Sequence, residues 1–357
     1  MTKSIVNPNH SIHFGEEAWG ALNNILTLED WSQIFILTDE VCHELCYPSF
    51  LKNIGDQGIH LICIPQGELS KSIEWAKVLW NEMAQNNGDR KSLVINLGGG
   101  MVSDIGGFTA STFMRGIDYI NIPTTLLAMV DASIGGKTGV DLGPLKNQIG
   151  VVKESKGIFI ITEFLKTLPE REFISGWMEM VKHGFISNVS YLEDCLSIPK
   201  LDHSKIDELI RGSVIIKNEI VSKDLWENGR RKTLNFGHTL GHAIESFCLD
   251  YRPKGYIQHG EAVGIGMILA LYLSSIYQDF PLEKAIYYKK KINQRLPYFS
   301  FDFNDQKNIM SYLIHDKKNS HGRIKFVLLR DIGDSVIDCE VSSKSIFDAF
   351  DFWQKRS

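Results

Sequence analysis

Four short, continuously apolar runs, each stopped by turn-forming residues, limit how the first half of this chain can fold. Ile34-Phe35-Ile36-Leu37 ends at Thr38-Asp39, and His60-Leu61-Ile62-Cys63-Ile64 ends at Pro65. Leu93-Val94-Ile95-Asn96-Leu97 runs into Gly98-Gly99-Gly100, and Tyr119-Ile120-Asn121-Ile122 ends at Pro123. Runs this short with almost no polar alternation read as strands buried on both faces, the condition of a parallel sheet. The stretches between them, such as residues 73–85, carry helical spacing. Strand and helix in alternation predict an open α/β sheet, with ligands outside the carboxyl ends of the strands.

After about Leu168 the texture changes. Residues 170–185, 206–223, 233–247 and 261–277 read as helices, and strand signals almost vanish until Arg323-Ile324-Lys325-Phe326-Val327-Leu328-Leu329. The 357 residues are long for one core. Two domains are therefore expected, 1–168 and 169–357, the second mainly α-helical, with a site between them.

Charge narrows the partners. With 38 basic and 43 acidic residues the net charge is −5, so no nucleic-acid footprint is expected and any anion site must be a local basic pocket. The six cysteines are scattered, which fits free thiols in a reducing compartment. Cys42-His43-Glu44-Leu45-Cys46 lacks the second ligand pair of a zinc site. Residues 1–14 contain no apolar signal core, and no uninterrupted apolar run reaches the roughly 18 residues of a membrane span. A cytoplasmic protein without a membrane role is expected.

Two segments carry chemistry. In the first, Gly98-Gly99-Gly100 follows a strand and opens a helical stretch holding Asp104, Gly106 and Gly107, a setting that lets backbone N–H groups approach a pyrophosphate. Pro123-Thr124-Thr125, Asp131, Gly135-Gly136-Lys137-Thr138-Gly139 and Lys146-Asn147 follow. The spacing is not that of a nucleotide-triphosphate loop. Read alone, it is a glycine-rich loop whose lysines suit an anion. In the second, His238 and His242 lie four apart in Asn235-Phe236-Gly237-His238-Thr239-Leu240-Gly241-His242, so a helix puts both on one face. Gly237 and Gly241 open that face to a ligand or another backbone. His259-Gly260-Glu261 and the pair Glu179 and Lys182 complete a set of imidazoles and carboxylates of the kind zinc uses. The residues leave open which histidines bind, and Glu245 suits a supporting hydrogen bond. Lys182, Lys217 and Arg231 read singly as solvated charges and together as a phosphate pocket.

These pieces, with Met114-Arg115-Gly116 and Leu165-Lys166-Thr167-Leu168-Pro169, resemble the 3-dehydroquinate synthase family from about Gly67 to Gly333. Ser103 and Gln148 depart from the family's usual Gly and Met, and residues 248–258 are longer than in some members. The resemblance implies a Rossmann-like NAD-binding domain, a helical metal- and substrate-binding domain, and a homodimer. It implies zinc or cobalt on Glu179, His238 and His259. NAD contacts fall on Asp39, Glu68, Lys71, Gly100 and Asp104, on Thr124, Thr125, Lys137 and Lys146, and on Phe164, Thr167 and Leu168. The substrate pocket and catalytic groups fall on Asp131, Lys137, Lys146, Asn147, Lys182, Lys217, Arg231, Asn235 and His242, with a lysine of the pair Lys317-Lys318. Arg115 would reach the phosphate bound by the neighbouring subunit. The implied reaction turns 3-deoxy-D-arabino-heptulosonate 7-phosphate into 3-dehydroquinate and phosphate with transient NAD reduction. The rival expectations are another sugar phosphate cyclase and a metal-dependent polyol dehydrogenase of related fold.

Overall fold

A computed structural model describes residues 4–6, 10–55, 58–143, 145–198, 203–252, 257–315 and 324–355, so Lys317 and Lys318 lie outside the described residues. The chain divides into two compact units, Met1–Pro169 and Glu170–Ser357.

The first unit runs β1 (Ile5–Val6), β2 (Ser11–Phe14), α1 (Gly15–Leu28), β3 (Ile34–Asp39), α2 (Glu40–Leu45), α3 (Tyr47–Ile54) and β4 (His60–Ile64). It continues through α4 (Ile73–Gln85), β5 (Leu93–Gly98), α5 (Gly100–Thr112), β6 (Asp118–Pro123), β7 (Lys137–Leu142), β8 (Leu145–Val152) and β9 (Gly157–Ile160). Seven strands make one sheet in the order β1-β2-β9-β6-β5-β3-β4, parallel throughout except for β1 against β2. All six residues of β5 are buried, with Val94 registered between Phe35 and Tyr119, which is why this run is apolar without alternation. Helix starts follow the strand ends. The Asp39 carboxylate accepts the Cys42 N–H at 2.8 Å and caps α2, and Ser72 caps α4 through the Trp75 N–H at 3.3 Å. Helix α5 lies so close to β5 that a Cβ on Gly106 would stand 1.9 Å from Asn96 Oδ1. The glycine-rich stretch after Gly136 departs from the loop reading. Lys137–Leu142 and Leu145–Val152 pair as an antiparallel hairpin with Gly139 opposite Gly150, an approach that small residues permit.

The second unit runs α6 (Glu170–Ser187), α7 (Val189–Ser197), α8 (His203–Lys223), α9 (His238–Tyr251), α10 (His259–Tyr277), α11 (Leu282–Asn293), α12 (Phe303–His315), β10 (Lys325–Asp331), β11 (Asp334–Glu340) and α13 (Ser343–Gln354). Helix α10 is long and apolar enough to cross a membrane by length and composition, yet 78% of its apolar window is buried inside the protein. It is the core helix of this unit, packed by α6, α9, α11, α13 and β10, so it needs no polar face. The helix expected over 233–247 is in fact broken. A 3₁₀ turn covers Arg230–Asn235, Gly237 turns left-handed at φ 79°, and α9 starts at His238. Helix α10 begins two residues earlier than expected because Gln258 and Glu261 form a reciprocal capping box.

Candidate functional site

In the second unit three helices deliver their ligand-type side chains to one place. Glu179 projects from α6, His238 opens α9 with His242 one turn on, and His259 opens α10. The helices approach backbone to backbone where these residues meet. A Cβ on Gly237 would stand 2.8 Å from Met267 N, and one on Gly241 3.1 Å from Ala262 O. The face those glycines leave open therefore receives another backbone.

Glu179 Oε1 lies 3.5 Å from His238 Nε2 and 3.6 Å from His259 Nε2. Those separations exceed a hydrogen bond. Two ligand atoms bound tetrahedrally at about 2.1 Å from a zinc ion stand roughly 3.4 Å apart, so the spacing fits a shared cation. The other ring nitrogens are engaged: His238 Nδ1 is 3.3 Å from the Phe236 carbonyl, and His259 Nδ1 is 3.1 Å from Glu245 Oε2. With the protons on Nδ1, both Nε2 atoms are left as electron-pair donors facing Glu179. The ligand atoms of His238, His242 and His259 also lie within 4.8 Å of one another.

The electrostatics agree. Glu179 has no exposure, and burial alone would protonate it, but Lys182, His238 and His259 hold it well below the usual carboxylate range. Burial alone would lower His259, yet Glu245 and Glu179 raise it to about 10. A field that holds an extra proton on the half-buried His259 ring favours a cation, which would take the place of the Nε2 proton. The residues thus fit a divalent metal in spacing, donor type and charge.

Lys182 pairs with Glu179 through its ammonium, and Lys182, Lys217 and Arg231 are all buried, so the reading of each as a solvated charge is corrected. Each belongs to a folded interior that also holds polar partners. Arg231 donates through Nη1 to the Leu225 carbonyl at 2.7 Å, and Asn235 Nδ2 donates to Glu227 Oε1. The Asp224 carboxylate orders this turn by accepting the N–H groups of Asn228, Gly229 and Arg231 at 2.8–3.0 Å. Asp224 and Glu227 carry no motif of their own, although the Asn228-Gly229 pair that follows them marks a turn.

In the first unit the expected cofactor residues gather at the carboxyl ends of the central strands. Asp39 ends β3, Gly100 opens α5 directly after β5, and Thr124 and Thr125 follow β6. Thr125 Oγ1 accepts the Ala128 N–H at 3.2 Å, and Thr124 Oγ1 lies 3.2 Å from Cys42 Sγ. Phe164 and Thr167 share the 3₁₀ turn Thr162–Thr167, with Leu168 next to it. Lys71 is buried with its ammonium 2.8 Å from Glu68, 3.3 Å from Asp104 and 3.8 Å from Asp141. Asp141, seventy residues from Lys71 and within the segment read as loop, carried no sequence signal for this role. The same Asp141 oxygen, Oδ1, accepts the Asn147 N–H at 2.6 Å. Asp131 lies in the helical turn Ala128–Ala132, and Lys146 is half-buried on β8. Lys137, Arg115 and Asn147 are exposed, the last two with left-handed backbone at φ 69° and 52°.

Residues 61–175 match the family profile of the 3-dehydroquinate synthase N-terminal part, and residues 176–319 match that of the C-terminal part. The chain belongs to the 3-dehydroquinate synthase family. Among curated 3-dehydroquinate synthases, that of Parabacteroides distasonis is 38% identical over 340 residues, covering 94% of this chain and 95% of its own. That of Dictyoglomus thermophilum is 41% identical over 330 residues, covering 90% of this chain and 89% of its own. A crystal structure of 2-deoxy-scyllo-inosose synthase complexed with carbaglucose-6-phosphate, NAD+ and Co2+ matches with a TM-score of 0.84 at 23% identity, over 98% of this chain and 99% of that one. The chain thus shares the fold of that structure.

Proposed function

We propose that this chain is an NAD- and divalent-metal-dependent carbon–oxygen lyase that converts 3-deoxy-D-arabino-heptulosonate 7-phosphate into 3-dehydroquinate and phosphate. The observation that carries the reading is the buried Glu179 carboxylate at ligand spacing from two imidazole nitrogens, in a chain of this family. Glu179, His238 and His259 would hold zinc or cobalt in the helical metal- and substrate-binding domain. The Rossmann-like domain would bind NAD through Asp39, Glu68, Lys71, Gly100, Asp104, Thr124 and Thr125, with Lys137, Lys146, Phe164, Thr167 and Leu168. When bound, NAD supplies a reversible hydride acceptor and the metal a Lewis acid at the hydroxyl being oxidised, so one turnover has no net redox change.

The remaining work belongs to this chain's side chains. Lys182, Lys217 and Arg231 offset the carboxylate and phosphate charges of the substrate, with Lys146 and Asn147 as further polar contacts. Asn235 and Asp131 orient hydroxyl groups. His242 takes and returns the proton of the C5 hydroxyl, a task suited to an imidazole. His242→Ala is expected to cut turnover far more than NAD binding, and equal losses in both would overturn that role. The assembly would be a cytoplasmic homodimer in which Arg115 reaches the neighbouring subunit's substrate. Sedimentation equilibrium checks the dimer, and a monomer under assay conditions would remove Arg115 from the site.

The decisive assay follows phosphate release from the heptulosonate phosphate, with and without NAD and a chelator. Release that needs both cofactors, without NADH accumulating, supports the reading. Activity on glucose 6-phosphate or sedoheptulose 7-phosphate instead would move the chain to another cyclase, and net NADH would indicate a polyol dehydrogenase.

A further inference from the structure

The start of α10 is tied to α6 by more than helix capping requires. Gln258, Gly260 and Glu261 surround His259, and each is bonded to the first turns of α6. Gln258 Nε2 donates to Glu172 Oε1 at 2.8 Å, and Gly260 N–H donates to Ser175 Oγ at 2.9 Å. Arg171 donates two parallel bonds to Glu261, Nε to Oε1 at 2.8 Å and Nη2 to Oε2 at 2.6 Å. The same Glu261 carboxylate accepts the Gln258 N–H at 2.9 Å and has no exposure. A Cβ on Gly260 would stand 2.3 Å from Ser175 Cα, so the two backbones touch there. Ser175 is one helical turn before Glu179.

We propose that Arg171 is a positioning residue for the cation site, its fork on Glu261 clamping α10 to α6 at the separation that puts His259 Nε2 and Glu179 Oε1 on one ion. This rests on the metal reading above. The Gly260–Ser175 and Gln258–Glu172 bonds hold the two helices at single points, about which α10 can still tilt, and a shift of about 1 Å is enough to spoil a first coordination sphere. The paired planar bonds fix direction as well as charge, which a lysine cannot reproduce.

Charge alone predicts the opposite sign. Removing the Arg171 guanidinium leaves Glu261 uncompensated close to the site, and that added negative field would strengthen cation binding. Positioning predicts weakening. The experiment is Co2+ titration of the full-length apo protein, wild type, Arg171→Ala and Arg171→Lys, read by chelator competition and by the visible absorption of bound cobalt. Thermal unfolding of each apo protein is recorded in parallel. Arg171→Ala is expected to bind cobalt about 10- to 100-fold more weakly with an altered absorption band, the range for groups that orient ligands. Arg171→Lys, which keeps the charge, is expected to recover only part of that affinity. Unchanged or tighter cobalt binding with the wild-type band in either variant, accompanied only by a lower apo Tm, would overturn the proposal. If Arg171→Ala does not fold, Arg171→Lys alone decides, and wild-type affinity in it overturns the clamp. Wild-type protein that binds no cobalt would instead overturn the metal reading.

Discussion

Each half of this chain buries one charge among charges of the opposite sign, in opposite senses. In the first unit the lysine of residue 71 is surrounded by Glu68, Asp104 and Asp141. In the second the carboxylate of Glu179 is surrounded by Lys182, His238 and His259. The Lys71 cluster brings its own cation and closes on it at 2.8 Å. The Glu179 cluster closes on Lys182 through one carboxylate oxygen and holds two imidazoles 3.5 and 3.6 Å from the other, a spacing that fits a shared cation. Both need buried charge. The first uses it to hold Lys71, α5 and the β7–β8 hairpin together, and the second to bring one carboxylate oxygen and two imidazole nitrogens to ligand spacing.

The largest effect should come from breaking the second cluster at its centre. Glu179→Gln removes the ionised oxygen that faces both imidazoles, and stable metal binding and turnover are expected to disappear together. Metal content after dialysis checks this, and full occupancy would refute the ligand assignment. In the first cluster, Lys71→Met should leave the fold without the cation that three carboxylates share. Removing one partner of a buried pair costs about 3–5 kcal/mol, measurable by urea unfolding. Adding Asp104→Asn should recover part of that loss, and strict additivity would show that the two residues do not share a field.

The same crowding gives a pH signature. Burial first, then the neighbouring Glu68 and Asp141 carboxylates, push Asp104 up to about 6 against the pull of Lys71. In the unfolded chain an aspartate titrates near 3.9. Between about pH 4 and 6 the folded state therefore holds more protons than the unfolded one, so this contribution to stability falls as pH rises. Wild-type stability relative to Asp104→Asn is expected to drop by about 2–3 kcal/mol from pH 4 to pH 7. A flat difference would mean that Lys71 fully compensates Asp104.

The two clusters were not equally legible in the sequence. His238, His242 and His259 announce themselves by type and spacing, and the apolar runs ending at Asp39, Gly98 and Pro123 mark the strand ends that hold the first unit's polar groups. The long-range partners were silent. Asp141 reaches Lys71 only because 137–152 folds as a hairpin, and glycines at 139, 143 and 150 hide the strand period from inspection. The break before α9 was hidden in the same way, since Gly237 sits in a pattern that reads as continuous helix until its left-handed backbone is seen. Glu261 was visible as a motif residue, but its bond to Arg171, ninety positions away, follows from how α6 and α10 pack and not from any local pattern.

The smallest effect sharpens the contrast most, because it replaces neither a cluster centre nor a ligand. Glu245 accepts from His259 Nδ1 at 3.1 Å, and its charge is the main influence that raises the imidazole against burial. Glu245→Gln keeps an acceptor oxygen at the same reach while removing the charge, and Glu245→Ala removes both. If the bond orients the ring, Gln should cost little and Ala about 10- to 100-fold in metal affinity by chelator competition. If charge is what matters, the two variants should lose alike, since both remove the same negative charge beside His259. Wild-type affinity in both would leave His259 oriented by the packing of α10 alone. The ligand spacing at Glu179 would then be a property of the helix contacts, as the Lys71 cluster is of its ion pairs.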